Sequence, residues 1–131
     1  MAAKNYWIEE HVIMAAEYEG NVSNEDIDQI MEACMAVVEE RACYFIVDTL
    51  KMSSIQPSFL KLNSLLKFIT HPNLRWLAMV IGYNPMIRFA IQVLARKNAS
   101  VFSTREDALV YLRKRIEMDK AAGELAERVL P

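Results

Sequence analysis

Glycine is scarce in this sequence, occurring only at Gly20, Gly82 and Gly123. A phosphate-cradling loop or a dinucleotide-binding turn needs several glycines within a few residues, so neither can be built here. Nor is there a Gly-x-Ser-x-Gly elbow to expose a nucleophilic serine. Cysteine is limited to Cys34 and Cys43, one on an apolar helix face and one at a strand start, the pattern of reduced core thiols rather than of a disulfide framework. Histidine is limited to His11 and His71, both at predicted turns, and no His or Cys joins two acids at metal-ligand spacing. The longest apolar run, Trp76 to Ile81, is far short of the roughly 20 residues of a membrane span. No apolar signal core precedes Glu9 and Glu10. These absences predict a cytoplasmic protein that is not an enzyme, with no catalytic residue, no metal and no cofactor.

What is present is an ordinary globular composition over 131 residues, 53% hydrophobic and 24% charged, which predicts one domain with a core of its own. The net charge of -2 hides an uneven distribution. Residues 1 to 50 hold eleven acids against Lys4 and Arg41, and residues 51 to 115 hold eleven bases against Glu106 and Asp107. The bases are scattered singly except for Arg113-Lys114-Arg115, where a helix end favours cations through its dipole. A nucleic-acid footprint requires a clustered patch, so no nucleic-acid partner is expected.

In chain order, Tyr6 to Glu9 and Val12 to Glu19 read as a hairpin around Glu10-His11, at a sheet edge with one wet face. Gly20-Asn21 is expected to break the strand. Ser23 with Asp26 offers a capping box, and Ile27, Ile30, Met31, Cys34, Val37 and Val38 recur at helical spacing behind it. Cys43 to Asp48 reads as a buried strand running into a polar loop, Thr49 to Ser54. Pro57 opens a second helix with Phe59, Leu62, Leu66 and Ile69 on its inward stripe, stopped at His71-Pro72. Arg75 to Ile81 has the near-continuous apolar character of a parallel strand covered on both faces. Asn84-Pro85 opens a third helix, polar only along Arg88, Gln92 and Arg96. A short strand from Ser100 to Phe102 leads into a capping box at Ser103 to Glu106, then a helix packed through Leu109, Leu112 and Ile116. The tail from 116 to 131 continues in helical composition, interrupted at Gly123.

This alternation predicts an α/β fold of four to five mostly parallel strands with an N-terminal hairpin and about four helices. Ile30, Cys34, Phe45, Val47, Leu62, Leu66, Met79, Ile81 and Leu112 fall on the inward phase and are expected to share one core. Asp48, ending the central strand, is the acid best placed for a site, with hydrogen bonding to loop amides as its ordinary role.

The hairpin, the helix of Asp26 to Glu40, the strands Phe45-Ile-Val-Asp48 and Leu77-Ala-Met-Val-Ile-Gly82, and the closing Val101-Phe-Ser-Thr-Arg-Glu-Asp-Ala-Leu-Val-Tyr-Leu112 together resemble the STAS superfamily. Within it they are most similar to the SpoIIAA-like branch of bacterial anti-sigma-factor antagonists, over a core of about residues 6 to 115. The resemblance implies a regulatory domain that binds a protein partner. Phosphorylatable members present Asp-Ser-Ser-Gly after the central strand; the matching segment here is Asp48-Thr-Leu-Lys-Met-Ser53-Ser54-Ile55, with Met52 and Ile55 in place of the Asp and the Gly. Asp48, Thr49, Lys51, Ser53, Ser54 and Ser58 are thus the candidate phosphorylation or partner-binding residues. Met86, Ile87, Phe89, Val93, Leu125 and Val129 form a candidate surface for a homodimer or for an apolar ligand. The alternative function is a carrier that holds an apolar ligand, a lipid or a nucleotide between the third helix and the sheet.

Overall fold

The computed structural model of the protein describes residues 3–55, 67–82 and 98–129, without the side chains of Ile55 and 124–129. Five strands and two long helices follow in order: β1 (Ala3–Glu9), β2 (Ile13–Val22), α1 (Asn24–Glu40), β3 (Cys43–Ile55), β4 (Leu74–Val80), β5 (Ala99–Phe102) and α2 (Arg105–Val129). The strands form one sheet in sequence order, β1 antiparallel to β2 and all later neighbours parallel. This is the mixed α/β sheet with an N-terminal hairpin that the alternation of periods implies.

Because side chains alternate across a strand, the sheet has two apolar faces, and each is covered. One carries Met14, Ala16, Phe45, Leu77 and Met79 beneath the α1 stripe of Ile30, Met31, Cys34 and Val38. The other carries Ile13, Tyr44, Ile46, Ala78 and Val80 beneath Ala108, Leu112 and Ile116 of α2. Of the expected core, Ile30, Cys34, Phe45, Met79, Ile81 and Leu112 are buried and Val47 is half-buried against it. Leu112 lies on the opposite face from the rest, so the core is two layers rather than one. Leu62 and Leu66 lie outside the described residues, as does the third helix expected after Asn84; of the second helix, residues 67–69 are described and are helical.

The capping box at Ser23 is formed: its hydroxyl accepts from the Asp26 amide at 3.2 Å, and its own amide donates to Asp26 Oδ2 at 2.9 Å. Asn73 then ties the end of α1 to the sheet. Its side-chain amide donates to the Val38 carbonyl at 2.6 Å, and its carbonyl accepts from the Cys43 amide at 2.9 Å. His71 Nδ1 accepts from the Asn73 amide at 3.1 Å, a turn-fixing role. Both thiols are free and buried. Burial pushes Cys34 up to about 12 and Cys43 up to about 11, so both are neutral core groups near pH 7.

Several expectations are corrected. The strand does not break at Gly20. That residue adopts a left-handed φ of 68°, the register shifts between Gly20 and Asn21, and β2 continues beside β3 to Val22. With β1 at the edge, β2 is interior and buried on both faces from Ile13 to Tyr18, so the hairpin has no wet face there. The segment Thr49 to Ser54 is not a loop; it is the second half of β3, paired with β2 through Glu19–Lys51 and Asn21–Ser54. The cap of α2 is Thr104 rather than Ser103, its hydroxyl accepting from the Asp107 amide at 3.2 Å. Helix α2 passes through Gly123 without a break, since a single glycine costs only about 1 kcal/mol against alanine in a helix interior.

Candidate functional site

Beyond Asp48 and Val80 the β3–β4 pairing ends, while β2 and β3 run on together as a two-stranded ribbon to Val22 and Ile55. At this narrowing, on the α2 side of the sheet, two carboxylates stand side by side. Glu17 and Asp48 are register partners on β2 and β3, and each is only 8% exposed. Burial of a charge demands partners. Arg105, the first residue of α2, supplies them: its guanidinium lies 3.9 Å from Glu17 Oε2 and 3.8 Å from Asp48 Oδ2. A cation in the first turn of a helix works against the dipole, so this placement is upheld by the two acids, with Glu106 and Asp107 beside it in the same turn.

Strand β1 completes the cluster. The Tyr6 hydroxyl donates to Glu17 Oε2 at 2.8 Å and accepts from the Arg105 guanidinium, which also lies over the Tyr6 ring at 5.3 Å. Lys4 and Lys51 approach Glu17 at 3.9 and 3.6 Å with side chains 62% and 65% exposed. The Tyr6 hydroxyl, followed by Lys4, Lys51 and Arg105, holds the Glu17 carboxyl below its ordinary value against the opposing effect of burial. Burial raises the Tyr6 phenol, and Glu17 adds to that, outweighing the Arg105 donation. Two carboxylates and three cations leave a positive surplus whose outer members are the two lysines.

Asp48 is therefore central, though it does not end β3 as expected but lies within it, where the pairing with β4 stops; its Oδ1 accepts from the Leu50 amide at 3.0 Å. Lys51 joins the cluster. Thr49 donates to the Val80 carbonyl at 2.8 Å and pins the ribbon to the end of β4. Ser53 and Ser54 are exposed on the ribbon, with Ser54 donating to Asn21 Oδ1 at 2.7 Å. They are strand residues rather than the loop residues expected. Ser58 lies outside the described residues, as do Met86, Ile87, Phe89 and Val93 of the expected third helix; Leu125 and Val129 fall within α2. Tyr6, Glu17, Lys4 and Arg105 were not singled out by sequence reasoning. The available signal was the phase of Glu17, two and four residues from Ala15 and Ile13 on the face α2 covers.

Among the described residues no group of three or more His, Cys, Asp or Glu is arranged to hold a metal ion, and no helix is long and apolar enough to cross a membrane. No protein-family model matches the sequence, and no curated protein matches it. Solved structures do match it in shape. The anti-sigma factor antagonist SpoIIAA in its unphosphorylated form superposes with a TM-score of 0.66 at 14% identity, over 86% of this chain and 98% of that one. An anti-sigma factor antagonist from Mycobacterium paratuberculosis gives 0.62 at 14% identity, over 85% and 94%. A protein with a SpoIIAA-like fold from Shewanella loihica gives 0.57 at 17% identity, over 85% and 92%. At such identities the likeness is one of architecture: the chain has a SpoIIAA-like fold.

Proposed function

We propose that the chain is a non-enzymatic regulatory domain that binds a protein partner through the outer face of the β2–β3 ribbon. The observation that carries this is the juxtaposition of an exposed strip, Leu50, Lys51, Ser53 and Ser54, with the buried Glu17–Arg105–Asp48 cluster that anchors its base. An apolar side chain, a cation and two hydroxyls on a strand held rigid at one end make a surface suited to protein recognition. SpoIIAA, whose fold is shared, is named an anti-sigma factor antagonist and has been solved in a phosphorylated form. A phosphate on Ser53 or Ser54 would add about two negative charges beside Lys51 and switch the partner contact. A photocrosslinking residue placed at position 53 is expected to capture a discrete protein in host cells, absent when the residue is at position 117 and lost with Lys51→Glu. Equal capture from both positions overturns the reading. Phosphopeptide mapping after incubation with cell extract and ATP should find phosphate within residues 49–58, and its absence removes the switch.

We further propose that the chain is a homodimer. Helix α2, at 25 residues and so about 37 Å long, has Ile116 as the last buried position among its described side chains; Met118 is 58% exposed. The sequence places Leu125 and Val129 seven and eleven residues after Met118, on one helical stripe suited to a two-fold mate. Sedimentation equilibrium at micromolar concentration should return twice the 15.1 kDa chain mass, reverting to monomer on removal of residues 119–131. A full-length monomer overturns the dimer.

A further inference from the structure

At the opposite end of the sheet from the ribbon, where β3 and β4 begin, the second half of α2 and the β1–β2 turn border an open cleft of about 670 Å³. Its polar lining is predominantly basic. His11, Arg75, Arg115 and Lys120 face it, with Asp119 as the acid among them. Val12 and Ile116 give it an apolar floor.

Asp119 is already engaged. It accepts from the Tyr44 hydroxyl and lies 3.8 Å from Arg115 Nε. Arg75 has no carboxylate at ion-pair distance among the described residues, and Lys120 has only the exposed Glu117 at 4.0 Å. An exposed pair of that kind is worth little and yields readily to a better anion.

Arg115 is the fixed point. Its guanidinium carbon lies 4.3 Å over the Trp76 ring, and the Trp76 indole is held by donation to Ser100 Oγ at 3.2 Å. Nε of Arg115 is buried without a hydrogen-bond partner, since the 3.8 Å approach to Asp119 is too long for one. A planar guanidinium stacked on an aromatic ring, in a side chain 32% exposed, is preorganised for an oxyanion. His11 stands at the rim with a left-handed φ of 64°, its ring 5.5 Å from Trp7 and its Nε2 3.5 Å from Glu10. Arg75, Arg115 and Lys120 against Asp119 leave the lining itself cationic, with Glu10 and Glu117 beside it, a surface suited to a phosphomonoester.

We propose that this cleft binds a small organic phosphate monoester, the phosphate at Arg75, Arg115 and Lys120 and an apolar body against Val12 and Ile116. The site is independent of the ribbon, so its failure and that of the partner-binding reading are separate results. Phenyl phosphate is the probe, with inorganic phosphate beside it, read by amide and indole chemical shifts in the full chain. Saturable shifts are expected around His11, Arg75, Trp76 and Lys120, with phenyl phosphate binding more tightly than inorganic phosphate. Arg75→Gln with Lys120→Gln, both at exposed positions, should weaken binding by at least about tenfold, since bonds to charged groups carry that much. Lys114→Gln, on the outer face of α2, should leave it unchanged. No saturable shift up to about 10 mM, weaker than any useful site, overturns the proposal. So does equal binding by the double variant. Vesicles carrying phosphatidic acid should not retain the protein; retention on them without a response to phenyl phosphate reassigns the cleft to a lipid headgroup and also overturns it.

Discussion

Replacing Phe45 by alanine should lower the unfolding free energy by about 3–5 kcal/mol. The side chain is fully buried near the start of β3, the central strand of five, and its ring meets the edge of Phe68 at 5.0 Å and 89°. Removing it empties a site bordered by neighbouring strands and by α1, where collapse is opposed from every side. In a domain whose whole stability is of the order of 5–15 kcal/mol, that is a large fraction. Urea unfolding should show a lower midpoint at an unchanged slope. Phe45→Leu, which refills part of the space, should cost less than half as much. A loss below about 1 kcal/mol for Phe45→Ala, the ordinary cost of a mutation without special mechanism, would mean that β3 is not the centre of the fold.

Arg105→Met should cost about 2–3 kcal/mol at pH 7. Breaking a fully buried ion pair costs roughly 3–5 kcal/mol. Here the side chain is itself 32% exposed, and Lys4 and Lys51 remain near Glu17, so solvent and the lysines reduce the effect. The pH dependence identifies the cause. The depressed carboxyl of Glu17 contributes stability that is present above its unfolded value near about 4.3 and is lost as pH falls through the lower folded value. Once protonated, Glu17 no longer needs Arg105. The gap between the native protein and Arg105→Met should therefore be widest near neutrality and narrow below about pH 4. Thermal melts across that range read it directly. A gap that does not change with pH would assign the loss to packing of Arg105 on the Tyr6 ring instead.

How much of this was legible in the sequence depended on where burial imposes a period. Helix α1 was readable because one face is buried and its cap is a local pair, Ser23 with Asp26. Strands β3 and β4 were readable where both faces are covered, which writes continuous apolar runs. The outer half of β3 was not. From Thr49 onward the ribbon has β2 on one side and no β4 on the other, so most of its side chains meet solvent and a polar strand looks like a loop. Glu17 was hidden for the converse reason: an acid in a strand suggests a wet face, and only the non-local approach of Tyr6 and Arg105 makes its burial tolerable. The one-residue displacement of the α2 cap arose because Ser103 and Thr104 are both competent acceptors, with Glu106 and Asp107 each in step behind them.

The order of strands in the sheet has a bearing on synthesis. Because every strand pairs with the one before it in sequence, each can dock as soon as it leaves the ribosome, against a template already in place. The layer over the first face forms early as well, since α1 precedes β3. The other face waits: Ile13, Tyr44, Ile46, Ala78 and Val80 are covered, among the described residues, by Ala108, Leu112 and Ile116, which are made after every strand. For most of translation the nascent chain therefore presents one finished face and one bare apolar face. A product that stops short of Arg105 keeps that face bare, which makes such fragments natural clients for holdase chaperones and for proteolysis rather than small stable domains.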